Sequence, residues 1–124
     1  TYRYNSSMKI SQIVTILEAR IITGMEYNDR EILKCGSSDL MSDILAGDSE
    51  KSVLITGLNT IQVVKTAAIA GAEAIVFVRG KIPEEEIINY ARQSKIPLIT
   101  TPYSMFVTSG RLYANGMTGL DGRI

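Results

Sequence analysis

Three short apolar runs recur in the second half of the chain, Ser52–Thr56, Ala74–Val78 and Ile96–Thr100, each followed by a small or polar turn and then a segment with helical spacing. Each run is too short for a helix, rich in β-branched residues and apolar almost without alternation, as strands buried on both faces of a parallel sheet read. Parallel strands need crossovers, and the helical segments between these runs have suitable length. The pattern predicts an α/β domain.

The helices follow from the 3.6-residue period. Asn59 to Ala70 is expected to pack through Ile61, Val64 and Ala68 and to stop at Gly71. Pro83 suits a first helical position, with Glu84, Glu85 and Glu86 at the positive end of the dipole and Ile87, Ile88 and Ala91 pointing inward. Thr101 and Pro102 open a last helix through about Tyr113, with Phe106, Val107 and Leu112 available for packing. Earlier in the chain, Ser11 is the expected cap of a short helix buried through Ile13, Ile16 and Leu17. Arg20–Thr23 and Glu31–Cys35 read as extended pieces around a turn at residues 24–29. Ser37, Ser38 and Asp39 are three candidate caps for a helix presenting Leu40, Met41, Ile44 and Leu45, closed by Gly47. Residues 1–7 carry no apolar period and are expected to be a leader, vector-derived or disordered, ahead of a natural start at Met8. The folded region is expected over residues 8–117, with 118–124 a loose, glycine-rich tail.

Composition removes whole classes of chemistry. The 124 residues include 13 basic and 13 acidic side chains and no histidine, so there is neither a basic footprint for nucleic acid nor a histidine base for a catalytic triad. Cys35 is the single cysteine, which rules out an intrachain disulfide and a multi-cysteine zinc site. No apolar stretch approaches the ~20 residues that span a bilayer, so a cytoplasmic protein without a membrane partner is expected. No catalytic group, metal site or cofactor is predicted. Asp39 and Asp43 stand four apart, but two carboxylates alone make a weak magnesium site.

The turns after the strands gather at one sheet edge, where open α/β folds bind ligands. Thr56, Gly57 and Asn59 begin a strand-to-helix turn whose N–H groups could hold an anion, although the same residues read more simply as an ordinary turn capped by Asn59 or Thr60. Arg79 and Gly80, followed by Lys81, place positive charge at a strand end, unless Arg79 pairs with Glu84 or Glu85. Thr100, Thr101 and Tyr103 offer hydroxyls and a ring, while Ser37 and Ser38 are either ligands or caps. These ten residues are the candidate ligand site.

The order of a helix, an extended pair, residues 36–43, and then Leu54–Gly57, Ile75–Lys81 and Ile96–Tyr103 resembles a DRTGG domain over about residues 8–117. That resemblance implies a three-layer sandwich like the N-terminal domain of HPr kinase/phosphorylase, with a mainly parallel sheet and helices on both faces. Similar domains accompany CBS domains in regulatory proteins, and some CBS-linked members bind adenine nucleotides or diadenosine polyphosphates. It therefore implies a non-catalytic regulatory or ligand-sensing module, homodimeric, binding an adenine nucleotide or small anion. A protein-interaction domain with a protein partner and no ligand is the alternative. Met41, Met105, Phe106, Tyr103 and Tyr113 are interface-type residues, and the last helix with the Tyr103 region is the expected self-association surface.

Overall fold

The structure, a computed structural model, describes residues 7–122. The leader expected at 1–7 lies, apart from Ser7, outside the described residues. In chain order the elements are β1 (Met8–Lys9), α1 (Ile10–Ile16), β2 (Arg20–Thr23), β3 (Glu31–Ile32), β4 (Lys34–Ser37), α2 (Met41–Ala46) and β5 (Ser52–Thr56). They continue through α3 (Ile61–Ala70), β6 (Ala74–Phe77), α4 (Glu85–Gln93), β7 (Leu98–Thr100), α5 (Met105–Ala114) and β8 (Thr118–Gly119).

A six-stranded sheet runs β2-β7-β6-β5-β4-β8, parallel from β7 through β8, with β2 antiparallel on one edge. Strands β4, β5, β6 and β7 are laid down side by side in sequence order, so right-handed crossovers travelling one way must put α2, α3 and α4 on one face. The return from β7 to the far edge at β8 travels the other way, and α5 crosses the opposite face beside α1. The continuous apolar runs supply both faces at once. Val53, Ile55, Val76, Val78 and Ile99 pack with Ile10, Ile13, Leu17 and Leu112, whereas Leu54, Ile75, Phe77 and Leu98 pack with Ile44, Val63, Val64, Ala67, Ile87 and Ala91. Full burial of each valine, leucine, isoleucine or phenylalanine side chain among them contributes about 1.5–3 kcal/mol before entropy is counted. The expected three-layer α/β sandwich is the fold.

Several details differ from the sequence reading. The Ala68 side chain is exposed and Val63 and Ala67 are buried instead, because the core stripe of α3 is rotated by about one residue. Helix α1 begins before Ser11, since its first amides find partners outside the helix: Ile10 N–H donates to the Arg30 carbonyl and Ser11 N–H to that of Asn28. Pro83 is buried just ahead of α4, whose cap position is Glu84. Helix α5 starts at Met105 with Ser104 as its cap, accepting from Val107 N–H, while Thr101 is drawn into the core. Phe106 and Val107 then point outward, at 86% and 39% exposure, and Thr108 and Leu112 take the inner face. The predicted piece Glu31–Cys35 splits between a small two-stranded sheet with β1 and the main sheet. Finally, Thr118 and Gly119 are not loose tail but an edge strand paired with Lys34 and Cys35, and Leu120 packs over Gly36 and Gly47.

Candidate functional site

The parallel strands end in register, with Ser37 beside Ile55, Thr56 beside Phe77 and Phe77 beside Thr100. Their following loops therefore converge at the C-terminal edge of the sheet. Residue 39 arrives from the end of β4, Gly57 from β5, Val78 and Arg79 from β6, and Ser104 to Phe106 from the start of α5. Together they enclose a cleft of about 320 Å³.

Arg79 is held by its backbone. Arg79 and Gly80 both adopt left-handed conformations, with φ of 56° and 68°, which costs an L-residue such as arginine roughly 1–2 kcal/mol. Two hydrogen bonds offset that strain: Arg79 N–H donates to the Tyr103 carbonyl and Gly80 N–H to that of Thr101, both at 2.8 Å. The turn is thus clamped to the segment after β7. The Arg79 guanidinium itself makes no ion pair or hydrogen bond among the described residues, so the pairing with Glu84 or Glu85 that would neutralise it does not form. Lys81 folds back so that its Nζ donates to the Gly57 carbonyl at 2.7 Å.

Opposite Arg79 stands a carboxylate. Asp39 Oδ1 accepts from Gly57 N–H at 2.6 Å and from Thr56 Oγ1 at 2.9 Å, and the Thr56 hydroxyl in turn accepts from Leu58 N–H. The first amide of the β5–α3 turn, read from the sequence as an anion holder, is therefore occupied by the chain's own anion. The Gly57 N–H does most to hold the Asp39 carboxyl below its ordinary 3.8; partial desolvation opposes it, and the Thr56 hydroxyl, Lys81 and Arg79 reinforce it.

That depression has a sign. Folding favours the deprotonated carboxyl, so its stabilisation is fully present above 3.8 and is lost as pH falls below 3.8 toward the lower folded value. In urea titrations between about pH 6 and 2.5, the stability gap between wild type and Asp39→Asn is expected to shrink below about pH 4. A gap independent of pH would remove Asp39 as the titrating group.

The other sequence-predicted residues have various placements. Thr101 is fully buried and its hydroxyl donates to the Leu17 carbonyl at 2.7 Å, tying β7 to the end of α1. Thr100 is buried on the same face as Phe77, and its Oγ1 makes no hydrogen bond among the described residues. Tyr103 lies half-buried beneath the Arg111 guanidinium, 4.5 Å from its ring centre. Ser37 pairs with Ser109 at 2.8 Å and Ser38 caps the Leu40 amide at 2.9 Å, and neither is among the residues that line the cleft. Asn59 faces a separate groove shared with Glu84 and Glu86. Of the ten residues, Gly57 and Arg79 line the cleft, Thr56 supports it and Gly80 forms its turn.

Sequence reasoning missed Ser104, Met105 and Phe106 on the cleft wall, and read Asp39 only as a cap or half of a magnesium pair. The available signal was Asp39 two residues past a strand end, as Gly57 is one past its own. Asp43 lines a different hollow, beside Gly47 and Asp48. Among the described residues, no three histidine, cysteine, aspartate or glutamate side chains gather to hold a metal. Cys35 is a poor nucleophile: burial pushes its thiol up to about 11, countered only in part by Ser37. No helix among the described residues is long and apolar enough to cross a membrane.

A sequentially wound sheet with helices on both faces, and an arginine-bearing cleft at its C-terminal edge, defines a three-layer α/β module. The chain belongs to the DRTGG domain family, whose family model matches residues 12–114. Asp29 and Arg30 share the first two letters of the family's name; Arg30 donates to the Glu73 carbonyl just before β6, at the opposite end of the strands from the cleft. Among solved structures, the fold is similar to the CBS and DRTGG domains of the regulatory region of Clostridium perfringens pyrophosphatase, complexed with its activator diadenosine tetraphosphate. The TM-score is 0.68 at 21% identity, over 90% of this chain and 48% of that one. This chain thus spans about half the length of that solved chain. Comparison with curated proteins finds no match.

Proposed function

We propose that this chain is a non-catalytic regulatory module of the cytoplasm that senses a phosphate-bearing ligand, first of all an adenine nucleotide, in the cleft between Asp39, Gly57, Arg79 and Phe106. The observation that carries this reading is Arg79, an exposed and unpaired guanidinium held on a clamped left-handed turn at the ligand-binding edge of the sheet. A guanidinium pre-positioned in this way matches phosphate geometry. The ring of Phe106, on the same cleft and 86% exposed, offers a face for a base. The nucleotide activator of the similar pyrophosphatase region supports the choice of ligand.

The reading includes self-association. Phe106, Val107 and Tyr113 leave an apolar side of α5 open to solvent, the type of surface that a second copy covers. The same exposed side favours the second reading, a protein-interaction domain with a protein partner and no small ligand.

One titration separates the two. A ligand at a hundredfold excess over its Kd stabilises the folded state by about 2.7 kcal/mol, a rise in melting temperature of roughly 10 °C for a domain of this size. AMP, ADP, ATP and diadenosine tetraphosphate are the probes, with the mass in solution recorded in parallel. A saturable shift is expected, and Arg79→Ala is expected to weaken affinity about 10–100-fold by removing charge-assisted hydrogen bonds worth about 1.5–3 kcal/mol. An unchanged affinity in that variant would exclude Arg79 from the site. No shift with any nucleotide, together with co-purification of a stoichiometric protein partner, would favour the interaction-domain reading instead.

A further inference from the structure

Two opposite charges face each other over Gly57 without joining. The Arg79 guanidinium lies 3.3 Å, and both Asp39 carboxylate oxygens 3.4 Å, from the point where a side-chain Cβ on Gly57 would sit. Yet no ion pair closes between them. Asp39 cannot simply swing across, because Oδ1 already accepts from Gly57 N–H and Thr56 Oγ1. Its Oδ2 makes no hydrogen bond among the described residues, and Asp39 lines the cleft. With no side chain at residue 57 to stand between them, the guanidinium and the carboxylate flank a slot in the cleft that both residues line, an N–H donor on one side and a fixed acceptor on the other.

We infer that this slot receives a sugar hydroxyl, and that Asp39 makes the module selective for a ribose-bearing ligand over a bare phosphate. The inference rests on the nucleotide reading above and deepens it. A hydroxyl is the small neutral group that can accept from Arg79 and donate to Asp39 Oδ2 in one position. A phosphate dianion has no proton to donate and would be repelled by the carboxylate, so the phosphate of the same ligand takes other guanidinium donors of Arg79 or the remaining Nζ donors of Lys81. Lys81 also braces the slot from behind through the Gly57 carbonyl. Asp39 and Gly57 are thereby specificity determinants, and Thr56 is a positioning residue acting through Asp39.

Gly57→Ala is the informative variant. No positive φ marks Gly57, and the added methyl would meet the movable end of Arg79 and the carboxylate at ordinary or slightly tight distances, so the fold is expected to persist while the slot is filled. The experiment is calorimetric titration of the whole chain with ATP, 2′-deoxy-ATP, 3′-deoxy-ATP and inorganic phosphate. Wild type is expected to prefer ATP over at least one deoxy analogue by roughly tenfold, the loss that follows from removing a hydrogen bond to a charged group. Both Gly57→Ala and Asp39→Asn are expected to bring that ratio near one while still binding nucleotide through Arg79. Should Gly57→Ala not fold, Asp39→Asn makes the same comparison. Equal affinity of wild type for ATP and both deoxy analogues would overturn the hydroxyl slot and leave the nucleotide reading intact. No binding of ATP would overturn both.

Discussion

Replacing Phe77 with alanine is expected to lower the free energy of unfolding by about 3–5 kcal/mol. Phe77 is the last residue of β6 and is fully buried, between Thr56 and Thr100 of the neighbouring strands and among the side chains of α3 and α4. Its neighbours belong to regular elements locked by backbone ladders, so they cannot collapse into the space a ring leaves, and the cavity adds to the lost burial. Domains of this kind have total stabilities of about 5–15 kcal/mol, so the variant stands near the limit of folding. Urea unfolding followed by far-ultraviolet circular dichroism measures the change. A loss under about 1.5 kcal/mol would mean that the α3–α4 face repacks, contrary to the rigid layer described above. The cleft also depends on this residue, because Val78 and Arg79 follow it directly.

The second large effect is expected for Gly24→Ala. Gly24 follows the antiparallel edge strand β2 with φ of +92°, and an added Cβ would come within 2.6 Å of Pro97 Cα and Cβ, just before β7. Left-handed backbone costs a non-glycine residue about 1–2 kcal/mol, and overpacking against backbone adds about 1–3 kcal/mol. A total of roughly 2–5 kcal/mol follows. Gly80→Ala is the matched comparison, with φ of +68° and nothing among the described residues within 4 Å of its Cβ, so only the conformational cost remains. Equal destabilisation of the two variants in urea would show that close packing on Pro97 contributes nothing. Because β2 pairs, among the described residues, only with β7, amide exchange in Gly24→Ala should rise first along Arg20–Thr23.

The legible parts of the sequence are those whose signal is local. The run Ser52–Thr56 is β5 to the residue, Arg20–Thr23 is β2, and Gly71 ends α3 in the left-handed conformation that a terminating glycine supplies. Helix phase was less legible. In α3 the apolar residues nearly encircle the helix, so Ala67 and Ala68 are equivalent by type, and only the sheet beneath decides which is buried. Phe106 misleads in the same way: an aromatic side chain on a helix reads as core, but the start of α5 at Ser104 turns it to solvent.

What the sequence determined by itself is the class of the fold and the sheet edge where the loops gather, because continuous β-branched runs favour sheet wherever they occur and parallel strands send their loops to one end. The identity of the cleft was decided only by tertiary structure. Asp39 meets Gly57 because β4 and β5 are neighbours in register, and Arg79 is clamped because its turn finds the Tyr103 carbonyl across the β6–β7 pair. Those contacts join residues 18 and 24 positions apart in the chain. No periodicity within either segment encodes them, since what brings them together is strand order, a property of the packed sheet.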